Sequence, residues 1–153
     1  MKCAIGQDSH RFTKDENKPL ILAGLEIKGH LGLEANSDGD VLYHALTNAI
    51  SGITSVNILG PIADKMCKAG IKNSDAYVKE ALKHLKYPIL HVSFTLECKS
   101  PKLAPYIDEM KKNISELLNI DKKNVGITAT SGEGLTPFGQ GLGIMCFCLI
   151  TTG

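Results

Sequence analysis

His91-Val92-Ser93-Phe94-Thr95-Leu96-Glu97-Cys98 decides the fold class. Val92, Phe94, Leu96 and Cys98 alternate with His91, Ser93, Thr95 and Glu97, the period of two of a strand with one buried face. On either side the period lengthens. Upstream, Ser74 reads as the N-cap of a helix through Val78, Ala81, Leu82 and Leu85, stopped before Pro88. Downstream, Pro101 and Pro105 open a helix whose apolar face is Ile107, Met110, Ile114, Leu117 and Leu118. Val125, Ile127 and Ala129 make the next strand, and Gly143 to Thr151 the last.

The first half continues the pattern. Residues 3–7 read as a strand, and Leu20 to Ile27 as strands bent around Gly24. Asp40 to Ser51 is helix-like, with Val41, Ala45 and Ile50 among its apolar positions. From Gly52 to Gly70 the pattern is ambiguous, apart from a short helix following Pro61. The expectation is an α+β fold: a single domain over residues 1–153, with helices packed on one face of a roughly four-stranded mixed sheet.

Composition excludes several classes. The chain has 153 residues, 43% of them hydrophobic, and 17 Lys plus Arg against 16 Asp plus Glu. A formal charge of +1, no Trp and scattered basic residues give no footprint for nucleic acid or an anionic membrane. No apolar run has the length of a membrane span, and the first residues enter a strand rather than a leader segment. Five cysteines without a CxxC pair fit a reducing compartment, so a cytoplasmic location is expected. Cys146 and Cys148 share one strand face and read as buried core thiols.

Two clusters carry candidate chemistry. Asp8 and His10 are two apart and point the same way on an extended strand. His44 falls one turn inside the helix opened by Ser37-Asp38-Gly39-Asp40. One carboxylate and two imidazoles form the ligand set of a zinc ion with an open fourth position, although iron, manganese or cobalt suits it too. On the residues alone, His44 is equally a helix histidine, and Asp38 and Asp40 equally helix caps. The second cluster is glycine-rich. Thr130-Ser131-Gly132-Glu133-Gly134 follows a strand, where backbone N–H groups can approach phosphate and Glu133 can hold a divalent cation. A plain turn between strands explains it as well. Lys102 sits at a strand-to-helix transition, where a phosphate meets both a lysine and a helix N-terminus.

Gly6-Gln7-Asp8-Ser9-His10-Arg11-Phe12, Ser37 to Val41 with His44-Ala45-Leu46-Thr47, Ser100-Pro101-Lys102-Leu103, and Ala129 to Leu135 together resemble the 2-C-methyl-D-erythritol 2,4-cyclodiphosphate synthase family. The order and spacing match over essentially the whole chain. The resemblance implies a homotrimer with active sites between subunits and zinc on Asp8, His10 and His44. It implies a cytidine-diphosphate substrate cyclised with release of CMP. Ser37, Lys102 and Glu133 would be the catalytic residues, Glu133 through a Mg²⁺ or Mn²⁺ on the diphosphate. Ser37 would lie by the phosphates, and Asn36 would also bind substrate. Ser100, Pro101, Lys102, Leu103, Ala129, Thr130 and Ser131 would come from the neighbouring subunit to grip the cytidine and diphosphate, and Glu133 would bind substrate too.

The chain also departs from that family's usual pattern. Asn36 stands where histidine is usual, and Asn48 where aspartate is usual. Val56 to Met66 replaces the segment that carries the ribose-binding aspartate, and Gln140 and Leu142 replace an Arg/Glu pair. Two other readings therefore stand beside the synthase: a zinc enzyme for another phosphorylated or nucleotide-linked substrate, and a catalytically silent trimeric binding protein.

Overall fold

A computed structural model describes all residues, 1–153. Its main sheet has four strands: β1 (Lys2–Arg11), β4 (Ile89–Glu97), β5 (Val125–Thr130) and β6 (Gly143–Thr152), in the order β1-β6-β4-β5. β4 and β5 run parallel and the other pairings are antiparallel, so the sheet is mixed as expected. β2 (Leu20–Leu22) and β3 (Leu25–Ile27) form a separate hairpin, turning at Ala23 and Gly24, both at positive φ. The helices are α1 (Val41–Thr54), α2 (Pro61–Lys68), α3 (Ser74–Leu82) and α4 (Ile107–Leu118). None is long and apolar enough to cross a membrane.

One face of the sheet is covered and the other is not. Val92, Phe94 and Leu96 of β4 and Ile144, Cys146, Cys148 and Ile150 of β6 are buried with the apolar faces of α1 and α4. Cys146 and Cys148 are thus the core thiols their spacing suggested, and burial pushes both well above the usual thiol range. On the opposite face Ile5 and Leu149 are 63% and 46% exposed, with Met145 and Phe147 half-buried on the same side of β6.

Several boundaries differ from the sequence reading, each for a physical reason. β1 continues past residue 7 to Arg11, because β6 pairs with it in unbroken register from Lys2 to Arg11. β4 begins at Ile89 and ends at Glu97, one residue before Cys98. α1 runs through Gly52 to Thr54; a side chain at Gly52 would stand 3.1 Å from the Ala4 methyl, so the glycine is a packing requirement rather than a stop. α3 ends at Leu82, short of Leu85. Ser74 is not its N-cap. Asn73 holds that position without a side-chain bond, and Ser74 is the first helical residue, with its hydroxyl used elsewhere.

Gly6 sets the relation between α1 and β1. A Cβ there would lie 2.0 Å from the Ala45 carbonyl oxygen and 2.4 Å from the Ala49 nitrogen. Only a glycine lets the helix backbone rest on the strand at that depth, two residues from Asp8 and beside the turn carrying His44.

Candidate metal centre

β1 presents Asp8 and His10 on the helix side of the sheet, and the first turn of α1 presents His44 above them. His10 Nε2 lies 3.0 Å from Asp8 Oδ2, His44 Nδ1 lies 3.1 Å from the same oxygen, and the two nitrogens are 3.2 Å apart. Ligands about 2.05 Å from a tetrahedral zinc are separated by about 3.3 Å, close to this nearly equilateral triangle. Three ligand atoms converging at such distances could hold one shared cation. The residues fit a metal.

The same convergence sets the electrostatics of the metal-free site. Burial works to raise the Asp8 carboxyl, but the hydrogen bonds and charges of His10 and His44 outweigh it and hold the group below its usual range. Burial works to lower His44, yet the Asp8 hydrogen bond and the charges of Asp8, Asp40 and Asp38 leave it raised.

Ser37-Asp38-Gly39-Asp40 does more than open a helix. Asp40, fully buried, accepts from Ala23 N (2.9 Å), Gly24 N (2.7 Å) and Tyr43 N (3.2 Å), so it caps α1 and ties the β2–β3 turn to it. Burial and the Asp38 charge push its carboxyl up to about 7 against those donors. Asp38 faces the other way: its Oδ2 accepts from Ser74 N at 3.0 Å, at the start of α3. Gly39 makes the divergence possible with φ +76, a left-handed conformation that favours glycine. The capping reading therefore holds for Asp40; Asp38 does not cap α1 but accepts from the backbone of Asp40 and of Ser74, at the start of α3. Lys18 Nζ fixes the loop from behind, donating to Ala35 O (2.8 Å) and Ser37 O (3.0 Å).

A cavity of about 360 Å³ opens on the His10 and His44 side of the metal triangle. His10, Asn36, Ser37 and His44 line it. Ala35, Leu59, Gly60, Ala63, Asp64, Cys67 and Tyr77 complete it. Val56 to Met66 departs from the family's usual segment, but nothing local in the sequence assigns Asp64, Cys67 or Tyr77 to the site. The available signal was the short helix after Pro61, whose inward residues face the cavity.

The remaining candidates form a second cluster. Ser100 to Leu103 follow β4, and Ala129 to Glu133 end and follow β5, the parallel neighbour that pairs Leu96 with Ala129 and Glu97 with Thr130. Ser100 Oγ is 3.2 Å from His30 Nε2, Leu103 is buried, and Glu133 is exposed with φ 51 beside Ser131. None of these residues lines the metal cavity within the chain. Both clusters lie at the same end of the sheet, where Ser9, Met145, Glu97 and Thr130 stand in one row, but on opposite edges. Three strand spacings, about 14 Å, separate those edges.

A metal triangle on the edge of a mixed sheet, with a glycine-rich second cluster on the far edge, defines a metal-site α+β protein. The chain matches the YgbB family over residues 1–152 and belongs to that family. It is 49% identical to the 2-C-methyl-D-erythritol 2,4-cyclodiphosphate synthase of Chlamydia trachomatis serovar L2b (strain UCH-1/proctitis), covering 98% of this chain and 86% of that one. Its fold superposes on the bifunctional IspDF from Campylobacter jejuni with a TM-score of 0.86 and 32% identity, over 97% of this chain and 41% of that longer one. A solved 2C-methyl-D-erythritol-2,4-cyclodiphosphate synthase in its CDP-bound form gives a TM-score of 0.83 and 26% identity, over 99% of this chain and 100% of that one.

Proposed function

We propose that this chain is a phosphorus–oxygen lyase converting 4-diphosphocytidyl-2-C-methyl-D-erythritol 2-phosphate into 2-C-methyl-D-erythritol 2,4-cyclodiphosphate and CMP. The observation that carries the reading is the Asp8-His10-His44 triangle opening into the cavity lined by Asn36 and Ser37, in a chain of this family.

In the reaction an oxygen of the 2-phosphate attacks the β-phosphorus. The bond from that phosphorus to the oxygen shared with the α-phosphate breaks, and CMP leaves with the electron pair. The nucleophile belongs to the substrate, so the protein supplies position and charge rather than a covalent intermediate. Asp8, His10 and His44 would hold zinc, which when bound supplies a Lewis-acid charge to a phosphate oxygen. The Ser37 hydroxyl and the Asn36 amide offer hydrogen bonds to phosphate from the same wall. Lys102 would neutralise the diphosphate, and Glu133 would hold a Mg²⁺ or Mn²⁺ there. Ser100, Pro101, Leu103, Ala129, Thr130 and Ser131 would grip the nucleotide.

That division of labour needs more than one copy of the chain. The two clusters occupy opposite sheet edges, and the sheet face bearing Ile5 and Leu149 is uncovered. A homotrimer packing these faces around its axis would bring the β1 edge of one subunit to the β5 edge of the next. Phosphorus NMR of the purified protein with the named substrate and Mg²⁺ tests the function. Equimolar appearance of CMP and the cyclic diphosphate is expected; an unchanged substrate spectrum overturns it.

A further inference from the structure

We propose that Asp38 and Ser74 are positioning residues that select the tautomer of His44 able to bind a metal through Nδ1. The proposal rests on the metal-site reading above and concerns how this chain prepares the site. Ser74 is fully buried, and its Oγ lies 2.8 Å from His44 Nε2, the ring nitrogen facing away from Asp8 and His10. The same Oγ makes a close hydrogen bond to Asp38 Oδ1.

The direction of these bonds follows from counting protons. Asp38 Oδ2 accepts from Ser74 N, and Oδ1 accepts from Asp40 N at 3.1 Å. Backbone N–H groups can only donate, so both carboxylate oxygens act as acceptors. The hydroxyl of Ser74 has one proton, and Asp38 takes it. Toward His44 the serine oxygen can then only accept, so Nε2 must carry a hydrogen. A neutral imidazole protonated at Nε2 has its lone pair on Nδ1, the atom that faces Asp8 Oδ2 and His10 Nε2. Ser37 Oγ, at 3.3 Å from Nε2, is a longer second acceptor for the same hydrogen. A carboxylate behind a metal-binding histidine orients the ring and raises its basicity; here a serine is interposed between them.

The consequence is structural as well as chemical. Asp38 belongs to the loop before α1, while Ser74 is the first residue of α3. The ring that closes the metal triangle is thus held by an element that supplies no ligand.

Two measurements on the intact protein test this. The first is nitrogen NMR of metal-free, ¹⁵N-histidine-labelled wild type, followed upward in pH until His44 loses its imidazolium signal. The neutral ring is expected with its proton on Nε2; a neutral ring protonated on Nδ1 instead overturns the proposal. The second is zinc affinity by competition with a chromophoric chelator. Ser74→Ala removes the acceptor, and Asp38→Asn lets an amide N–H donate to Ser74 and reverse the chain of bonds. Each should weaken zinc binding by about 10- to 100-fold, whereas Ser74→Thr, which keeps the hydroxyl, should restore most of it. Wild-type affinity in both folded variants overturns the proposal. If either variant fails to fold, the wild-type spectrum still decides. Should wild type bind no zinc at all, the metal reading fails, and the tautomer remains an independent test of the relay.

Discussion

Ile5 stands directly opposite Leu149 across β1 and β6, and both project from the sheet face that no helix covers. Two large apolar side chains paired on an open face, beside half-buried Phe147 and Met145, mark the surface on which copies of the chain would pack. Leu149→Lys should convert a trimer into monomers at micromolar concentration while leaving far-ultraviolet circular dichroism intact. Light scattering reads the mass; an unaltered trimer would place the interface elsewhere.

Loss of a ligand should act on metal and turnover together. Asp8→Asn, His10→Ala and His44→Ala should each reduce zinc affinity by more than about 100-fold, because three ligands cannot readily be reduced to two. Elemental analysis after dialysis against a weak chelator checks this. Full zinc content in His44→Ala would move the metal to other residues.

Gly6→Ala tests the seating of α1 on β1. The added carbon would meet the Ala45 carbonyl oxygen at 2.0 Å, so backbone rather than a side chain must move. A loss of about 3 kcal/mol in urea unfolding is expected, at the upper end of ordinary overpacking. Zinc affinity should fall as well, since the same shift displaces His44 from Asp8. Unchanged stability would mean that α1 can ride outward freely.

The pH dependence follows from His44. Its folded pKa is raised, so the metal-free protein gains stability from the protonated ring, fully present below the unfolded value near 6.5 and lost as pH rises through the folded value. Asp8 is lowered and stays ionised throughout that window. The metal-free melting temperature should therefore fall as pH rises through the window, and stabilisation by zinc should grow over the same range. Calorimetry with and without zinc measures both; a metal-free protein that becomes more stable across the window contradicts the assignment.

Much of this architecture can be read in the chain because it is periodic or local. Val92, Phe94 and Leu96 announce a half-buried strand, and the Asp8/His10 spacing with His44 on the later helix offers a metal triangle, although only the packing of α1 on β1 separates that reading from a plain helix histidine. Lys102 and Glu133 were marked by their loops, although their place at the far sheet edge depends on strand order, which no local pattern states. Asp38 and Ser74 are 36 positions apart. A serine at a helix start satisfies the capping preference so well that its use by a distant carboxylate and imidazole leaves no trace in the sequence. Asp64, Cys67 and Tyr77 were missed for a related reason: they enter the cavity through the docking of α2 and α3, not through a motif.

The placement of the two clusters on opposite sheet edges has a genetic consequence. If each working site is shared between neighbours, a chain defective at His44 and a chain defective at Lys102 are complementary rather than equivalent. Each alone assembles only dead sites. Co-refolded in equal amounts, every mixed trimer contains one junction where an intact β1 edge meets an intact β5 edge, so about a quarter of all sites should recover. Two null alleles of this kind would then support one another in the same cell, whereas two alleles altered on the same edge would not.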